Sequence, residues 1–326
     1  MKLRIGSRGS QLALWQANHI AGLLRLQGHD VEIEIIKTTG DRLQRVTFAQ
    51  VGAMTGLKGM FTKEIEEALA EGRIDLAVHS LKDLPTELPE LFTLAATPVR
   101  VDPRDVFVSL KHANLAALPL GARVGTSSQR RRAQLKGLRS DLELVEFRGN
   151  VDTRLRKLGE GQVEAILLAA AGLDRLGRTD WVRERLSPEQ FCPAAGQGAL
   201  GIEARKDDAA TIDAVSFLDH ADTRFAVAVE RAALAELGGG CQVPIGIHCR
   251  PMPIEKSEAI GETTLRDEVF AVVASPVSGA TVRVYHRNVR ENQNPVALGR
   301  QIAAMLMEAG AGPLLAASDN APGGAA

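Results

Sequence analysis

The sequence predicts an α/β fold with two lobes and a small α+β domain at the C-terminal end. Three features of the 326-residue chain support this prediction. Strand-like and helix-like patterns alternate through the first half. Two connections that carry proline or glycine, Arg100–Arg104 and Pro193–Gly201, flank a second set of such units. A different order, one helix followed by several strands, begins after residue 217.

Residues 1–99, joined by residues 200–217, are predicted to form the first lobe. Its strand candidates are short apolar segments, namely Leu3–Ile5, Val31–Lys37 and Ile74–Val78. Apolar residues at helical spacing predict two helices, one through Ala13, Ala17, Ile20 and Leu24 and one through Phe61, Ile65, Ala68 and Leu69. Because the strands alternate with helices, neighbouring strands are expected to be mostly parallel.

Residues 100–199 are predicted to form the second lobe. Its strand candidates are Val106–Ser109, Arg123–Gly125, Leu142–Phe147 and Val163–Leu168. The two flanking connections are interpreted as a paired crossing, out of the first lobe and back into it. A double crossing forms a natural hinge with a cleft between the lobes, so the ligand site is expected there.

Residues 218–315 are predicted to form the third domain. Asp222 is a suitable N-cap for a helix that runs through Leu237, and Gly238 is a suitable stop. Three strands and a second helix are expected to follow, at Ile245–Arg250, Val269–Ala274, Val282–His286 and the run carrying Leu298, Ile302, Met305 and Leu306. The remaining residues, 316–326, are predicted to be a disordered tail.

Composition and charge argue against several classes of protein. Hydrophobic residues make up 45% of the chain and charged residues 24%, which is ordinary for a globular protein. The net charge of −1 and the aromatic content of 4% disfavour nucleic-acid binding. There is no apolar run of the roughly 20 residues that cross a membrane and no apolar secretory segment, so a cytoplasmic location is expected. Three cysteines make a disulfide framework unexpected, and the histidines show no metal-ligand spacing.

Polar and basic side chains follow the predicted strands, where an α/β sheet binds its ligands. The main candidates at these positions are Arg8, Ser10, Ser80, Lys82, Asp83, Ser128, Arg130, Arg131, Arg132, Arg148, Asn150, Arg154 and Arg175. Because arginine forks pair with both carboxylates and phosphates, a polyanionic ligand is expected.

The segment Thr126–Arg132 is the most specific of these signals. Its hydroxyl residues can cap a helix that begins near Gln129, and three arginines then occupy the first turns. The helix dipole disfavours cations there, by roughly 0.3–1 kcal/mol each at exposed sites. A helix start with hydroxyls, free N–H groups and arginines suits an anion. The alternative is a solvated basic turn at the surface.

Asp83 and Cys241 each have a functional and a structural interpretation. Asp83, in HSLKDLP, is a carboxylate among basic residues. It could belong to a structural ion pair, or it could stabilise a developing cation or guide a proton. Cys241, in GGGCQVP, follows three glycines, whereas free cysteines are usually buried. It could be inert, a nucleophile or a covalent tether, and no Cys/His signature accompanies it. Cys192 and Cys249 are interpreted as packing residues.

These motifs together resemble the porphobilinogen deaminase (hydroxymethylbilane synthase) family over nearly the whole chain. The segments that carry the resemblance are RIGSRGSQLALWQA, HSLKDLP, DPRDVFVS, VGTSSQRRRAQL, FRGNVDTRLRKL, AAAGLDRLG, PAAGQGALGIE and GGGCQVPIG. It implies three domains, the first two like the lobes of a type II periplasmic binding protein. It also implies a transferase that condenses four porphobilinogen molecules with loss of ammonia and then releases hydroxymethylbilane for porphyrin biosynthesis.

The resemblance also implies roles for individual residues. Cys241 would carry a dipyrromethane cofactor through a thioether, and Asp83 would hold pyrrole N–H groups and stabilise the cationic intermediate. Carboxylates of cofactor and substrate would be bound by Arg8, Ser10, Lys82, Ser128, Arg130, Arg131, Arg148, Arg154 and Arg175, with Ser80 beside the cofactor. Asn150 and Gln197 would line the cleft. Arg132 directly follows Arg130 and Arg131, the pair of arginines that matches the family motif.

One loop departs from the family pattern. VGAMTGLKGMF stands where the family has a shorter glycine-rich loop, although Lys58 and Phe61 match its end and would contact substrate. Two other functions remain open at this point. A non-catalytic two-lobed protein that binds a polycarboxylate would need no third domain with an exposed cysteine. A nucleic-acid- or phosphate-binding protein would leave Asp83 and Cys241 unexplained. Family precedent implies a monomer with no membrane partner.

Overall fold

Three separate β-sheets organise the described part of the chain. The computed structural model describes residues 1–42, 62–239, 243–252, 265–290 and 293–319. Lys58, Phe61 and Cys241, which the sequence analysis singles out, lie outside these residues. No helix in the described ranges is long and apolar enough to cross a bilayer.

The first sheet has five strands in the order β2-β1-β3-β10-β4. Its strands are β1 (Lys2–Ser7), β2 (Asp30–Ile35), β3 (Leu76–Ser80), β4 (Phe92–Ala96) and β10 (Leu200–Arg205). The helices of this lobe are α1 (Gln11–Leu26), α2 (Thr39–Arg42), α3 (Lys63–Ala70) and α7 (Ala209–Ser216). Helix α1 packs Ala17, Ile20 and Leu24 against the sheet, and all three side chains are fully buried. Full burial of an Ile or Leu side chain contributes about 1.5–3 kcal/mol.

The second sheet repeats this arrangement with the order β7-β6-β8-β5-β9. Its strands are β5 (Asp105–Val108), β6 (Arg123–Gly125), β7 (Glu143–Val145), β8 (Ala165–Ala169) and β9 (Val182–Arg185). The helices of this lobe are α4 (Gln129–Leu138), α5 (Val151–Gly159) and α6 (Ala170–Arg175). The predicted two-lobed α/β architecture is therefore confirmed.

The expectation of mostly parallel strands is wrong. In the first sheet β1 is parallel to β2 and β3, but β10 is antiparallel to β3 and β4. The second sheet has the same mixture, because β5 runs antiparallel to β8 and β9. The reversed strands β5 and β10 are those that the chain enters directly after each crossing. Strands β4, β9 and β10 were not predicted from the sequence.

The third domain is a three-stranded antiparallel sheet covered by helices. Its strands are β11 (Ile245–Pro251), β12 (Arg266–Ala274) and β13 (Thr281–Val289), in that order. Helices α8 (Ala221–Glu236) and α9 (Pro295–Glu308) pack on one face of this sheet.

Two details of the third domain differ from the prediction. His220, not Asp222, caps α8, since its ring accepts a hydrogen bond from the backbone N–H of Thr223. Asp222 lies inside the first turn and pairs with Arg290. Helix α10 (Gly312–Asp319) extends into the segment predicted as a disordered tail, and Leu314 and Leu315 at its start pack against the core of the domain.

The third domain docks on both crossings between the lobes. The carboxylate of Glu230, on α8, is fully buried and accepts from Arg100 Nη1 at 2.6 Å and from the backbone N–H of Gly196 at 2.7 Å. It also accepts from the backbone N–H of Cys249 at 2.8 Å. Burial alone would raise the pKa of Glu230, but Arg100 and His248 hold it at about 2. One charged carboxylate thus joins both hinge connections to the third domain.

Candidate active site

A cleft of about 400 Å³ lies between the two lobes, at the ends of their central strands. Side chains from both lobes line it, and they include most of the candidates from the sequence. These are Arg8, Ser10, Ser80, Lys82, Asp83, Ser128, Arg131, Arg148, Asn150, Arg154, Arg175 and Gln197. Arg130 and Arg132 are not among the described residues that line this cleft.

Asp83 ends a short 3₁₀ turn, Leu81–Asp83, that directly follows β3. The turn begins where the backbone N–H of Leu81 donates to the carbonyl of Ala199 at 3.1 Å. On its far side, Arg231 of α8 donates to the carbonyls of Leu84, Pro85 and Thr86 at 3.2, 2.5 and 3.0 Å. Because both ends of this loop are hydrogen-bonded to other elements, Asp83 is held in place at the cleft.

Helix α4 begins as the sequence predicts. Ser128 is its N-cap, and the hydroxyl accepts from the backbone N–H of Arg131 at 3.4 Å. Arg131 points inward and donates from Nε and Nη2 to Asp105 Oδ1, at 3.0 and 2.7 Å. Burial lowers the pKa of the Arg131 guanidinium, and Asp105 opposes this effect. Arg131 is thus a buried cation that reaches the cleft with its orientation set by Asp105.

Arg130 lies behind the cleft wall, although the sequence analysis groups it with the carboxylate-binding residues. It is 4% exposed, and its Nη1 donates to Asp105 Oδ2 at 2.7 Å and to the carbonyl of Cys192 at 2.6 Å. Consecutive residues of a helix point in directions about 100° apart, and here Arg131 lines the cleft whereas Arg130 turns behind its wall. In this structure Arg130 supports Asp105.

Asp105 is the buried anion around which this wall is built. It is fully buried at the start of β5, and burial alone would raise the pKa of its carboxyl group. Arg130 and Arg131 instead hold that pKa well below the usual range. Gln197 Nε2 adds a donor to Asp105 Oδ1 at 3.1 Å and a second hydrogen bond to the carbonyl of Pro103 at 2.7 Å. Gln197 therefore links the two crossings at the cleft.

Two further arginines, Arg154 and Arg175, face the cleft, and neither forms a salt bridge with another residue of the described ranges. Burial lowers the pKa of Arg154 to about 10, and the nearby Arg131 adds to this effect. Arg154 Nε is buried and has no hydrogen-bond partner in the described structure. Burial also lowers the pKa of Arg175 to about 10, and Arg175 Nη2 donates to the carbonyl of Gly198 at 2.9 Å. Desolvated cations of this kind favour an anionic ligand.

Lys82 and Asp83 lie side by side at the same edge. Burial lowers the pKa of Lys82, while the charge of Asp83 acts in the opposite direction. The Asp83 charge also acts on Arg131 and Arg154. Asp83 thus places a carboxylate among cations at the edge of the cleft, where it can stabilise a positive intermediate.

Two buried acids next to the cleft, Asp105 and Glu203, were not predicted from the sequence. Asp105 stands before an apolar strand in DPRDVFVS, and Glu203 stands inside another in LGIEAR. Glu203 is fully buried, and its Oε2 lies 2.9 Å from Nε2 of His79, which lines the cleft. The sequence feature that could have revealed them is an Asp or Glu in an otherwise apolar strand. Such a residue is rarely buried without a partner.

The cleft fits a dipyrromethane, each ring of which carries an acetate and a propionate. The buried Nε of Arg154, which has no hydrogen-bond partner among the described residues, and the other arginines that line the cleft are suited to bind its carboxylates. Of the three cysteines, Cys192 and Cys249 are each 1% exposed. Burial raises the pKa of Cys192 to about 12 and raises that of Cys249 as well. Neither thiol is suited to carry a cofactor in the cleft.

Two family models match the chain in succession. The first is described as "Porphobilinogen deaminase, dipyromethane cofactor binding domain" and matches residues 3–213. The second is described as "Porphobilinogen deaminase, C-terminal domain" and matches residues 224–308. Together they span the two lobes and the third domain.

Full-length relatives carry the same description. A porphobilinogen deaminase of Trichlorobacter lovleyi is 50% identical over 316 residues, which cover 96% of each chain. One of Nitratidesulfovibrio vulgaris (Miyazaki F) is 48% identical over 322 residues, covering 97% of this chain and 96% of the relative. One of Geobacter sulfurreducens is 54% identical over 249 residues, covering 76% and 77%.

Solved structures resemble this chain more distantly. A putative methionine-binding lipoprotein of Bacillus subtilis gives a TM-score of 0.43 at 15% identity, covering 68% of this chain and 90% of that one. A periplasmic substrate-binding protein of an ABC transporter from Coxiella burnetii gives 0.41 at 15% identity, covering 70% and 96%. The two family models and the full-length relatives, by contrast, show that this chain belongs to the porphobilinogen deaminase family.

Proposed function

We propose that this chain is a porphobilinogen deaminase. It joins four porphobilinogen molecules head to tail on a covalently bound dipyrromethane, with loss of one ammonia for each unit added. It then releases linear hydroxymethylbilane by hydrolysis. The observation that carries the proposal is the interlobe cleft, where buried arginines surround Asp83 in a protein whose family models name this cofactor.

The arginines bind the acetate and propionate groups of the substrate and of the growing chain. Burial lowers the pKa of Arg131, Arg154 and Arg175, so a carboxylate that reaches them supplies a counter-charge in a site of low polarity. Arg175, Arg148 and Arg8 extend the same cationic surface along the cleft. Ser10, Ser128 and Asn150 sit at or beside helix starts that line the cleft. Lys58 and Phe61 belong to this group by their position in the sequence.

Asp83 acts as an anion rather than as a stored acid. It accepts hydrogen bonds from pyrrole N–H groups and stabilises the positive charge that develops when ammonia departs. Its neighbours Lys82 and Arg131 keep a counter-charge beside it before substrate arrives. The two hydrogen-bonded ends of its loop keep this carboxylate from moving away as charge develops.

Cys241 carries the dipyrromethane, which supplies the free pyrrole position to which the first substrate is joined. Lys82, Ser80, Ser128 and Arg131 hold the carboxylates of that group. The proposed units are residues 1–99 with 200–217, residues 100–199 and residues 218–315, of which the third positions the tether. The protein acts as a cytoplasmic monomer, without nucleic acid.

The proposal is tested by incubating the purified protein with porphobilinogen and measuring ammonia and hydroxymethylbilane. The proposal requires four ammonia molecules for each hydroxymethylbilane, and Asp83→Asn should reduce both products together. Binding of porphobilinogen with no release of ammonia would overturn the proposal. That result would favour the polycarboxylate-binding protein.

A further inference from the structure

Three titratable side chains form a buried cluster beneath the cleft floor, and the proposed roles above leave all three unused. His79 is 7% exposed on β3 and lines the cleft. Its Nε2 lies 2.9 Å from Oε2 of Glu203 on the neighbouring strand β10. Glu66, on α3, is half-buried and close enough for the charges of His79 and Glu203 to affect it.

The sheet geometry brings these residues together. Strands β3 and β10 are antiparallel, with Gly201 opposite His79 and Glu203 opposite Ala77. His79 and Glu203 are therefore diagonal neighbours on one face of the sheet, within reach of long side chains. Helix α3 packs against both strands and places Glu66 over the same face. The cluster thus extends from the interior of the first lobe to the cleft.

The hydrogen-bonding capacity of the cluster is only partly used. Glu203 Oε1 and Glu66 Oε1 are both buried with no hydrogen-bond partner in the part of the chain that the structure describes. Burial raises the pKa of Glu66, and the charge of Glu203 raises it further. A carboxylate oxygen without a hydrogen-bond partner can bind a proton from a neighbouring imidazole. Burying such an acceptor without a hydrogen bond or a proton is energetically costly.

The proposed reaction releases a proton that some group must accept. In each condensation the C–N bond of the aminomethyl group breaks, and nitrogen leaves with the electron pair as ammonia. A C–C bond then forms between the methylene carbon and the free α-carbon of the acceptor pyrrole. That α-carbon loses one proton to restore the aromatic ring. Porphobilinogen arrives with an ammonium group, and the products ammonia and one proton therefore balance the reaction in both atoms and charge.

We propose that His79 accepts this proton and that Glu203 positions its ring and stabilises the resulting imidazolium. When Nε2–H donates to Glu203, Nδ1 has the lone pair that can accept a proton. In many general bases a carboxylate hydrogen-bonded to the imidazole fixes the tautomer in the same manner. Glu66 adds a second carboxyl group to the cluster, and the proton passes from Nδ1 to water when the product unit moves on. The inference rests on the proposed function.

His79 suits this task better than Asp83. Asp83 has to remain negative in order to stabilise the cation, whereas a general base has to become protonated in the same cycle. An imidazole changes charge near neutral pH, where general bases are most effective. The charged groups around His79 are Glu203 on β10, Glu66 on α3, Lys82 and Asp83 on its own connection, and Arg131 and Arg154 across the cleft.

The test compares His79→Gln and Glu203→Gln with the unaltered holoenzyme, using porphobilinogen and porphobilinogen deuterated at the free α-carbon. The glutamine at position 79 keeps a donor for Glu203 but cannot act as a base. Glu67→Gln is the matched control, since Glu67 is exposed on the same helix as Glu66. We expect about a 10²-fold slower condensation in His79→Gln, with the deuterated substrate reacting more slowly than the ordinary one.

The pH profile separates catalysis from a structural role. The rate of the unaltered enzyme should fall on the acidic side as the imidazole becomes protonated, and His79→Gln should lack this acidic limb. In Glu203→Gln the limb should move to lower pH, because the imidazolium has lost its counter-charge. If His79 has only a structural role, His79→Gln should lower the rate at all pH values. The acidic limb of the pH–rate profile should then be unchanged, and no isotope effect should appear.

Two outcomes overturn the inference. One is a His79→Gln enzyme with the rate, isotope effect and pH profile of the unaltered protein. The other is a slower enzyme whose isotope effect and acidic limb are unchanged. If His79→Gln does not fold, Glu203→Gln provides the pH test alone, and an unmoved limb there also overturns the inference. Failure of the proposed function is a different result, in which the unaltered protein releases no ammonia.

Discussion

Replacement of Asp105 by asparagine should destabilise the protein strongly, although Asp105 does not line the cleft. Its carboxylate accepts four hydrogen bonds, from Arg130 Nη1, from Arg131 Nε and Nη2, and from Gln197 Nε2. The Asp105→Asn variant has nearly the same shape but no charge. Two buried guanidinium groups then lose their carboxylate, and the new amide N–H₂ faces a donor.

The expected cost follows from the burial of all three charged partners. Arg130 and Arg131 are 4% and 5% exposed, and Asp105 is fully buried. Removing one member of such a pair costs about 3–5 kcal/mol, because an uncompensated charge stays in the interior. Domains unfold with a free energy of about 5–15 kcal/mol, so the loss would be a large fraction of the total.

The assay is equilibrium unfolding in urea, followed by the fluorescence of the two tryptophans. The matched control is Asp141→Asn, because Asp141 also pairs with an arginine, Arg139 at 2.7 Å, but does so at the surface. The control should unfold like the unaltered protein. If Asp105→Asn unfolds within about 1 kcal/mol of that control, the account of the buried anion is refuted.

Three further predictions concern the cleft and the hinge. Asp83→Asn should lower ammonia release by about 10²–10³-fold with the urea unfolding curve unchanged, and near-normal turnover would exclude the proposed role. Arg154→Met should raise the KM for porphobilinogen while stability is unchanged or higher, because the Nε of this cation is buried and has no hydrogen-bond partner in the part of the chain that the structure describes. Glu230→Gln should cost about 3 kcal/mol at neutral pH, since Arg100 loses its counter-charge. The pKa of Glu230 is about 2 instead of 4.5, so its stabilising effect is present above pH 4.5 and lost toward pH 2. Unfolding curves at several pH values should therefore converge for this variant and the unaltered protein in acid, and a constant difference would contradict the prediction.

Local signals in the sequence predicted the parts of the site that depend on neighbouring residues. Ser128 caps α4 because its hydroxyl needs only a backbone N–H three residues later. The strand β3 and the turn carrying Asp83 follow from an apolar segment with polar residues at its end. Such features are formed by short-range geometry, so a sequence pattern is sufficient to recognise them.

Other features depend on contacts between distant parts of the chain. The direction of β10 is set by the crossing that returns the chain to the first lobe, and β9 (Val182–Arg185) has no apolar alternation to reveal it. Arg130 and Arg131 are adjacent in the sequence, and only the position of Asp105 shows which one reaches the cleft. His220 caps α8, and Asp222 is instead engaged by Arg290, 68 residues away. Sequence pattern alone does not encode these partners.

The most direct test of the proposed function is the intact mass of the purified protein, with and without porphobilinogen. The account predicts an excess equal to two condensed pyrrole units on the peptide that contains Cys241, and further steps of one unit when substrate is added. Cys241→Ser should lack the excess, whereas Cys192→Ala should keep it, because Cys192 is buried away from solvent. A mass that equals the bare polypeptide, and stays so in excess porphobilinogen, would contradict the account.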